Sequence, residues 1–459
     1  MIGARSLSAS RGNAGSPVYA GSFGSEQAER LLWRAGFGPR PGDAAALAKL
    51  GVQGAVLSLT RPARESFVGQ GPVDDKRRPL APYDAYGHDH LWWLDRMVRT
   101  SRPLVERMTR VWHDWFATSN QGVGSQRLML DQNKLLRRES LGSFGRLLTQ
   151  ITSDPAMLVW LNGNQNRAKA PNENFAREMM ELFTLGADQG YSEKDIREQA
   201  RALTGWTNSY QTGVGRTDFH FDQRLHDDQP KTVFGQSGNW DWRDSCRLCL
   251  THPRHPAYVV RKLWGYFVPS EPDPTTARYL EALYASDPLR QVRPLLEAIL
   301  MHPDLYEGPR LVLPPVVYTA GLLRRLGRGI DTTSWLYLAE ASGQRLFYPP
   351  NVAGWGNRWL DTATFLARWN IAVTALKPFQ IDPANEVPGP ADPDAQIAQA
   401  VRFLGSPVLR KETQTALQRF ATGALADAAT ADWKRRPYSA MTQNVLRQLI
   451  AVSPELQAV

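Results

Sequence analysis

Pro103-Leu104-Val105-Glu106-Arg107-Met108-Thr109-Arg110-Val111-Trp112-His113-Asp114-Trp115-Phe116 carries its apolar residues at helical spacing. Leu104, Met108, Val111 and Trp115 form one stripe, with Val105, Trp112 and Phe116 beside it, and Pro103 suits a first helical turn. Further helices flank this one on both sides. One runs from Glu26 to about Ala35 and ends at Gly36-Phe37-Gly38-Pro39, and another covers Asp43 to Leu50. Downstream, Phe175, Met179, Met180, Leu182 and Phe183 give an apolar arc to a helix from Asn172 to Leu185. The next helix opens with Ser192 as cap, Asp195 as its capping-box acid, and Tyr191 with Ile196 placed to staple the start. Its inward residues are Ile196, Ala200 and Leu203, and Gly205 can close it. Helices resume over 257–267, 294–301 and 316–326. The pattern predicts a mainly α protein, one large multi-helix body.

Between Trp206 and Trp242 the helical period is lost. The alternation at Asp218-Phe219-His220-Phe221-Asp222 predicts a small β-hairpin, with a strand near 219–221 pairing with one near 232–234. Residues 1–24 are Gly/Ser-rich and read as a disordered N-terminal segment. The main helical domain is expected over 25–380, with the insertion at 206–242. A Pro/Asp-rich linker spans 381–394, and C-terminal helices over 395–459 pack on the main domain.

Composition narrows the class. The chain has 459 residues, 42% hydrophobic and 22% charged, which excludes a disordered, collagenous or coiled-coil protein. Two cysteines exclude a disulfide-stapled scaffold. No run approaches the roughly 18 apolar residues of a membrane span, and the first thirty residues hold no apolar signal segment, so a cytoplasmic location is expected. The net charge is +9, yet of 54 basic residues only 10 are Lys, leaving 44 Arg. The longest basic clusters are Lys76-Arg77-Arg78 and Lys434-Arg435-Arg436, so the charge is diffuse and no nucleic-acid partner is expected.

Three constellations could carry chemistry. Glu178 and Glu181, spaced i and i+3, share a helix face. Met by His113 from another helix they would make a site for a divalent metal ion, as helical bundles do. The plain alternative is a salt-bridged surface pair and a satisfied histidine. The insertion holds His220, Asp222, His226 and Asp227, followed by Lys231. These could bind a metal or act as acid and base, or form an Asp-rich loop bonded to its own backbone. Cys246-Arg247-Leu248-Cys249 with His252 and His255 has zinc-ligand residue types, but the two pairs sit too close for usual zinc-finger spacing, and ordinary buried thiols are the alternative. There is no Walker A loop, no Gly-rich dinucleotide turn, no zincin helix and no nucleophile elbow. The tryptophans fall mostly on apolar stripes.

The chain resembles the bacterial family catalogued as domain of unknown function 1800. The resemblance lies in 31–39 (Leu31-Leu32-Trp33-Arg34-Ala35-Gly36-Phe37-Gly38-Pro39), in Val111 to Ser119, and in Asn172-Glu173-Asn174-Phe175-Ala176-Arg177-Glu178. It continues through Ala202 to Trp206, His226-Asp227, His252-Pro253, Arg261-Lys262-Leu263-Trp264 and Tyr348-Pro349-Pro350-Asn351-Val352-Ala353-Gly354-Trp355. These stretches follow one another over nearly the whole chain. The resemblance implies a mainly α fold and names no reaction. It implies export for many members, often by a twin-arginine signal, which this chain lacks. Either it stays in the cytoplasm, travels with a partner, or begins further upstream. The implied partner is a phosphatase- or sulfatase-like protein of the family catalogued as domain of unknown function 1501. The resemblance also implies a His where this chain has Trp115 and another where it has Phe183, while His113, Glu178, Glu181, His226 and Asp227 match its pattern.

Two functions follow as expectations. The first is an enzyme with a polar, metal-binding cleft. His113, Glu178, Glu181, His226 and Asp227 would be its catalytic or ligating groups, and Arg177, Lys231, Asn172 and Trp206 would hold an anionic or polar substrate. The second is a non-catalytic assembly protein working with the phosphatase-like partner, in which the same polar residues fix helix packing.

Overall fold

The computed structural model describes residues 17–384, 390, 392–429 and 432–459. Among them 23 α-helices accompany two small two-stranded antiparallel sheets, so the protein is mainly α. No helix there is long and apolar enough to cross a membrane.

The Pro103–Trp115 helix is the centre of the fold. Leu104, Val105, Met108, Val111, Trp112 and Trp115 join one apolar core, which continues through Phe144, Phe175, Phe183, Leu263 and Leu296. A second core gathers Trp33, Trp93, Val317, Leu323, Ile371 and Leu446. The helix is buried on nearly every side, and its polar residues Glu106, Arg107, Thr109, Arg110 and His113 are buried with it. A helix closed in all round must satisfy such groups internally. Glu106 succeeds: it accepts from Arg96 Nε (2.9 Å), Arg137 Nε (2.6 Å) and Trp93 Nε1 (3.1 Å). These partners hold its carboxyl below the usual range although burial alone would raise it. Thr109 returns its hydroxyl to the Val105 carbonyl at 2.8 Å.

The expected Asn172–Leu185 helix is an α-helix over Asn174–Glu178 that widens into a π-helix over Met179–Thr184. The widening turns its last carbonyls toward side chains. Leu182 accepts from Tyr258 Oη (2.5 Å) and Lys262 Nζ (2.7 Å), Phe183 from Trp115 Nε1 (3.0 Å), and Thr184 from the His255 ring (2.9 Å). Trp115 and Phe183, the two positions where the resemblance implies a histidine, are thus direct neighbours. The next helix, Glu193–Ala202, starts as the sequence predicts, with Ser192 and Asp195 capping one another. Gly205 follows it at φ +112° and turns the chain into the insertion.

The insertion holds two hairpins rather than one. Strand Trp206–Gln211 pairs with Gly215–Phe221, and Lys231–Val233 pairs with Gln236–Gly238. Strands therefore do stand near 219–221 and 232–234, but each pairs with its own sequence neighbour. The second turn, Phe234-Gly235, has φ +50° and +74°, as a tight two-residue hairpin requires.

Near the N-terminus the structure differs from the expected disorder, since Tyr19 is buried and its amide donates to the Met301 carbonyl at 2.8 Å. Residues 1–16, and 385–389 and 391 of the expected linker, lie outside the described residues. The C-terminal residues close back on the body: Leu311 and Val459 exchange backbone hydrogen bonds of 2.7 and 3.0 Å, and Leu313 donates to Gln457.

Candidate functional site

Arg107, Arg110 and Asp114 stand at i, i+3 and i+7 of the Pro103–Trp115 helix, a spacing that puts them on one face. That face lines a cleft of about 480 Å³, whose other walls include Lys262, Tyr266, Arg310, Val312 and Trp359. Lys262 and Tyr266 come from the end of the His255–Gly265 helix and the turn after it. Leu311 to Pro314 come from the segment that pairs with the C-terminus.

Asp114 anchors the site. Its Oδ2 accepts from Tyr266 Oη at 2.9 Å and its Oδ1 accepts from the Trp355 amide at 3.0 Å. Gly354 holds φ +85°, and a Cβ there would lie 2.7 Å from the Asp114 carbonyl oxygen as well as against Oδ1. Only glycine lets the Asn351–Trp355 loop approach so closely. Burial, with Asp114 beside it, pushes the Tyr266 phenol well above its ordinary pKa, so it stays a proton donor to that carboxylate.

The cations are less well served. Arg107 is 1% exposed and Arg110 is 4% exposed. Nε and Nη1 of Arg107 and Nε of Arg110 are buried with no hydrogen-bond partner. Burial, Arg110 and Arg34 hold the Arg107 guanidinium well below its ordinary pKa, and burial lowers that of Arg110 against the pull of Asp114 and Tyr266. Burial also brings the Lys262 ammonium down to about 7, opposed by Asp114. Its Nζ lies 4.4 Å from the Trp115 ring centroid and bonds the Leu182 carbonyl and, at 3.2 Å, Tyr258 Oη. Two buried guanidiniums, the exposed one of Arg310 and an amine therefore line the cleft with one carboxylate, which already serves Tyr266 and Trp355. Buried cations with open N–H groups are costly alone and well matched to an anion. An amine that titrates near neutrality can also accept or deliver a proton there.

The residues singled out from the sequence lie outside the lining of this cleft. His113 is buried beside the cleft with its ring edge-on to Trp93 (5.3 Å) and Phe347 (5.6 Å) and tilted against Trp355 (5.4 Å). Its Nε2 has no partner, and burial with Arg110 nearby brings its pKa to about 3, so it is neutral. Glu178 and Glu181 are half-buried on their own segment. Burial first, and Glu181 second, raise the Glu178 carboxyl. Arg177 is engaged by Glu193 (2.8 Å), Glu173 (3.2 Å) and Glu181 (3.3 Å). Asn172 is exposed, and its side-chain oxygen accepts from the Asn174 amide at 2.9 Å.

In the insertion, His226 Nδ1 meets the Thr204 carbonyl (2.9 Å) and Oγ1 (3.2 Å). Asp227 pairs with Arg201 at 2.7 Å; that bond and the Gln229 amide outweigh burial and keep its carboxyl below the usual range. Lys231 is buried with its ammonium on the Asp227 and Gln229 carbonyls. Trp206 stacks edge-on against Phe221 and Trp242. No hydrogen bond, ion pair or ring contact joins these residues to His113, Glu178 or Glu181 among the described residues.

Nor do the residues present fit a divalent ion. No group of three His, Cys, Asp or Glu is arranged to hold one among the described residues. Cys246 and Cys249 are free thiols that burial pushes up to about 12, with Sγ atoms near Thr152 (3.3 Å) and Gln199 (3.4 Å). His255 is spent on the Thr184 carbonyl and Tyr284 Oη.

Sequence reasoning did not single out Arg107, Arg110, Lys262 or Tyr266, which line this cleft. The local pattern points away from them: apolar residues at 104, 105, 108, 111, 112, 115 and 116 fill a single arc of the helix, and Arg107, Arg110 and Asp114 lie on the opposite face, which sequence alone reads as solvent-facing. The stretches Val111 to Ser119, Arg261 to Trp264 and Tyr348 to Trp355, which carried the resemblance separately, meet at this cleft through Asp114, Lys262 and Trp355. No curated protein and no solved structure matches the chain. Residues 30–458, nearly its whole length, match the family described as "Protein of unknown function (DUF1800)", and the chain belongs to that family.

Proposed function

We propose that the protein receives an anionic small molecule in the cleft. The acidic group of the ligand sits on Arg107 and Arg110, and Lys262 is the proton-transferring group beside it. The observation that carries the reading is a pair of buried guanidiniums with unpartnered nitrogens, belonging to two of the residues that line the cavity. Guanidinium forks match carboxylate and phosphate oxygens in pairs, at about 2.7–2.9 Å per bond. The Tyr266–Asp114–Trp355 chain supports it by fixing the floor of the cleft before any ligand arrives, so little ordering is left to be done on binding.

Calorimetric titration of inorganic phosphate, sulfate and citrate into the protein at pH 7 tests the reading. At least one of these anions binds, and Arg110→Met weakens it by about 10- to 150-fold, the worth of one charge-assisted hydrogen bond at 1.5–3 kcal/mol. Equal affinity in the variant, or no binding of any of the three, refutes it.

A further inference from the structure

The Thr362–Leu376 helix presents two apolar faces, and only one is used. Ala367, Ile371, Ala372 and Ala375 are buried in the second core, whereas Phe365, Leu366, Trp369 and Val373 are 41%, 67%, 42% and 41% exposed. Phe365, Trp369 and Val373 stand at i, i+4 and i+8, so they form one row along the helix. Exposed apolar surface concentrated in this way marks a binding groove rather than the scattered exposure of an ordinary surface.

The row runs through two depressions. One, of about 490 Å³, lies between Phe365, Trp369, Val452 and Pro454, and the next, of about 210 Å³, between Trp369, Val373, Phe379 and Val445. Trp369 is a wall of both. Val312 is a wall of the first depression and also of the cationic cleft. The cationic cleft and the apolar row are therefore neighbours, with Val312 bordering both. Arg368, the charged residue on the way, has its Nη atoms on Gln457 (2.7 Å) and the Leu313 carbonyl (2.8 Å), so its charge is turned into the body.

We propose that cleft and groove are one site for a long-chain amphiphile. Its carboxylate or phosphate head rests on Arg107 and Arg110, and its hydrocarbon tail lies along Phe365, Trp369 and Val373. The inference rests on the anion reading of the cleft and gives that anion a chemical class. The ligand is a free monomer: arginines that are 1% and 4% exposed in the lining of a cleft lie out of reach of a headgroup held in a bilayer plane.

The test is calorimetric titration with inorganic phosphate and with butyl, octyl and dodecyl phosphate below their micelle concentrations. Dodecanol and vesicles of phosphatidate in phosphatidylcholine are the other arms. A fully buried methylene gives about fourfold in affinity. A groove open on one side still gives at least about 100-fold from butyl to dodecyl phosphate. Trp369→Ala removes most of that gain, and Phe365→Ala, an independent exposed position, removes part of it. Phosphate that binds with no dependence on chain length overturns the groove proposal alone. Dodecanol binding as well as dodecyl phosphate, with no binding of inorganic phosphate, overturns the cleft reading too. Vesicles that bind while monomers do not would overturn the assignment to a free amphiphile.

Discussion

Replacing Arg107 by methionine is predicted to stabilise the ligand-free protein and to abolish the proposed anion binding. Arg107 is 1% exposed, its Nε and Nη1 have no partner, and Arg110 and Arg34 add like charge beside it. A buried donor left open costs about 1–3 kcal/mol, and more when charged. Exchanging buried ionic groups for apolar ones of similar volume is often stabilising by about 1–4 kcal/mol. Methionine keeps the unbranched stem and so the packing against the core. The expected gain is therefore about 1–4 kcal/mol in anion-free buffer. For a chain of 459 residues, roughly 2.1 cal/mol/K per residue makes the unfolding entropy about 1 kcal/mol/K, so Tm rises by about 1–4 °C. Scanning calorimetry reads this directly. Adding phosphate at 100 times its Kd stabilises the wild type by about 2.7 kcal/mol and leaves Arg107→Met unmoved, so the order of stabilities closes or inverts. Arg96→Met is the control: that guanidinium serves Glu65 and Glu106, and its loss costs about 3–5 kcal/mol. If Arg107→Met is destabilised like Arg96→Met, Arg107 is a structural strut and the reasoning fails.

Other outcomes follow from the same geometry. Lys262 titrates near 7 in the fold and near 10.5 when unfolded, so the unfolded chain binds more protons between these values. Its burden on stability is full below pH 7 and is relieved as pH rises toward 10.5; Lys262→Met flattens that rise in denaturant titrations at pH 7 and pH 9. Because the protonated amine helps hold an anion, wild-type affinity falls as pH climbs through 7, and the variant loses this dependence, which calorimetric titrations across pH 6–9 would register. Gly354→Ala forces a Cβ onto Asp114 at a left-handed φ. It costs at least about 1–2 kcal/mol by thermal denaturation and weakens anion binding with it. Glu106→Gln leaves Arg96 and Arg137 short of a counter-charge and costs about 3–5 kcal/mol. Glu181→Gln, in a half-exposed pair with Arg177, costs about 1 kcal/mol or less, and urea melts of the two variants side by side would show the contrast.

The helices were legible because their signals are local. The Pro103 start, the Ser192–Asp195 box and the apolar stripes act within a few residues. The insertion was legible as strand but not in its pairing. Gln236-Ser237-Gly238 has no strand-like composition, and its partner choice is dictated by the positive φ at Phe234 and Gly235. The cleft was hidden for a different reason. Arg107 and Arg110 look like two of 44 arginines, and what distinguishes them is burial by segments 150 to 250 residues away, among them Tyr266, Pro314 and Trp359. Spacing favoured Glu178 and Glu181 because a shared helix face is visible in sequence. The i, i+4 pairing of Glu181 with Arg177 is equally local, whereas His113's enclosure by Trp93, Phe347 and Trp355 is a tertiary fact.

The most direct test of the central claim is an anomalous-scattering crystal structure grown with selenate, a tetrahedral dianion visible at the selenium edge. The account predicts a selenium peak in the cleft, with its oxygens within about 2.7–2.9 Å of Arg107 and Arg110 nitrogens, and no such peak in Arg110→Met crystals. Selenium peaks confined to the exposed arginines, with none at Arg107 and Arg110, would contradict it.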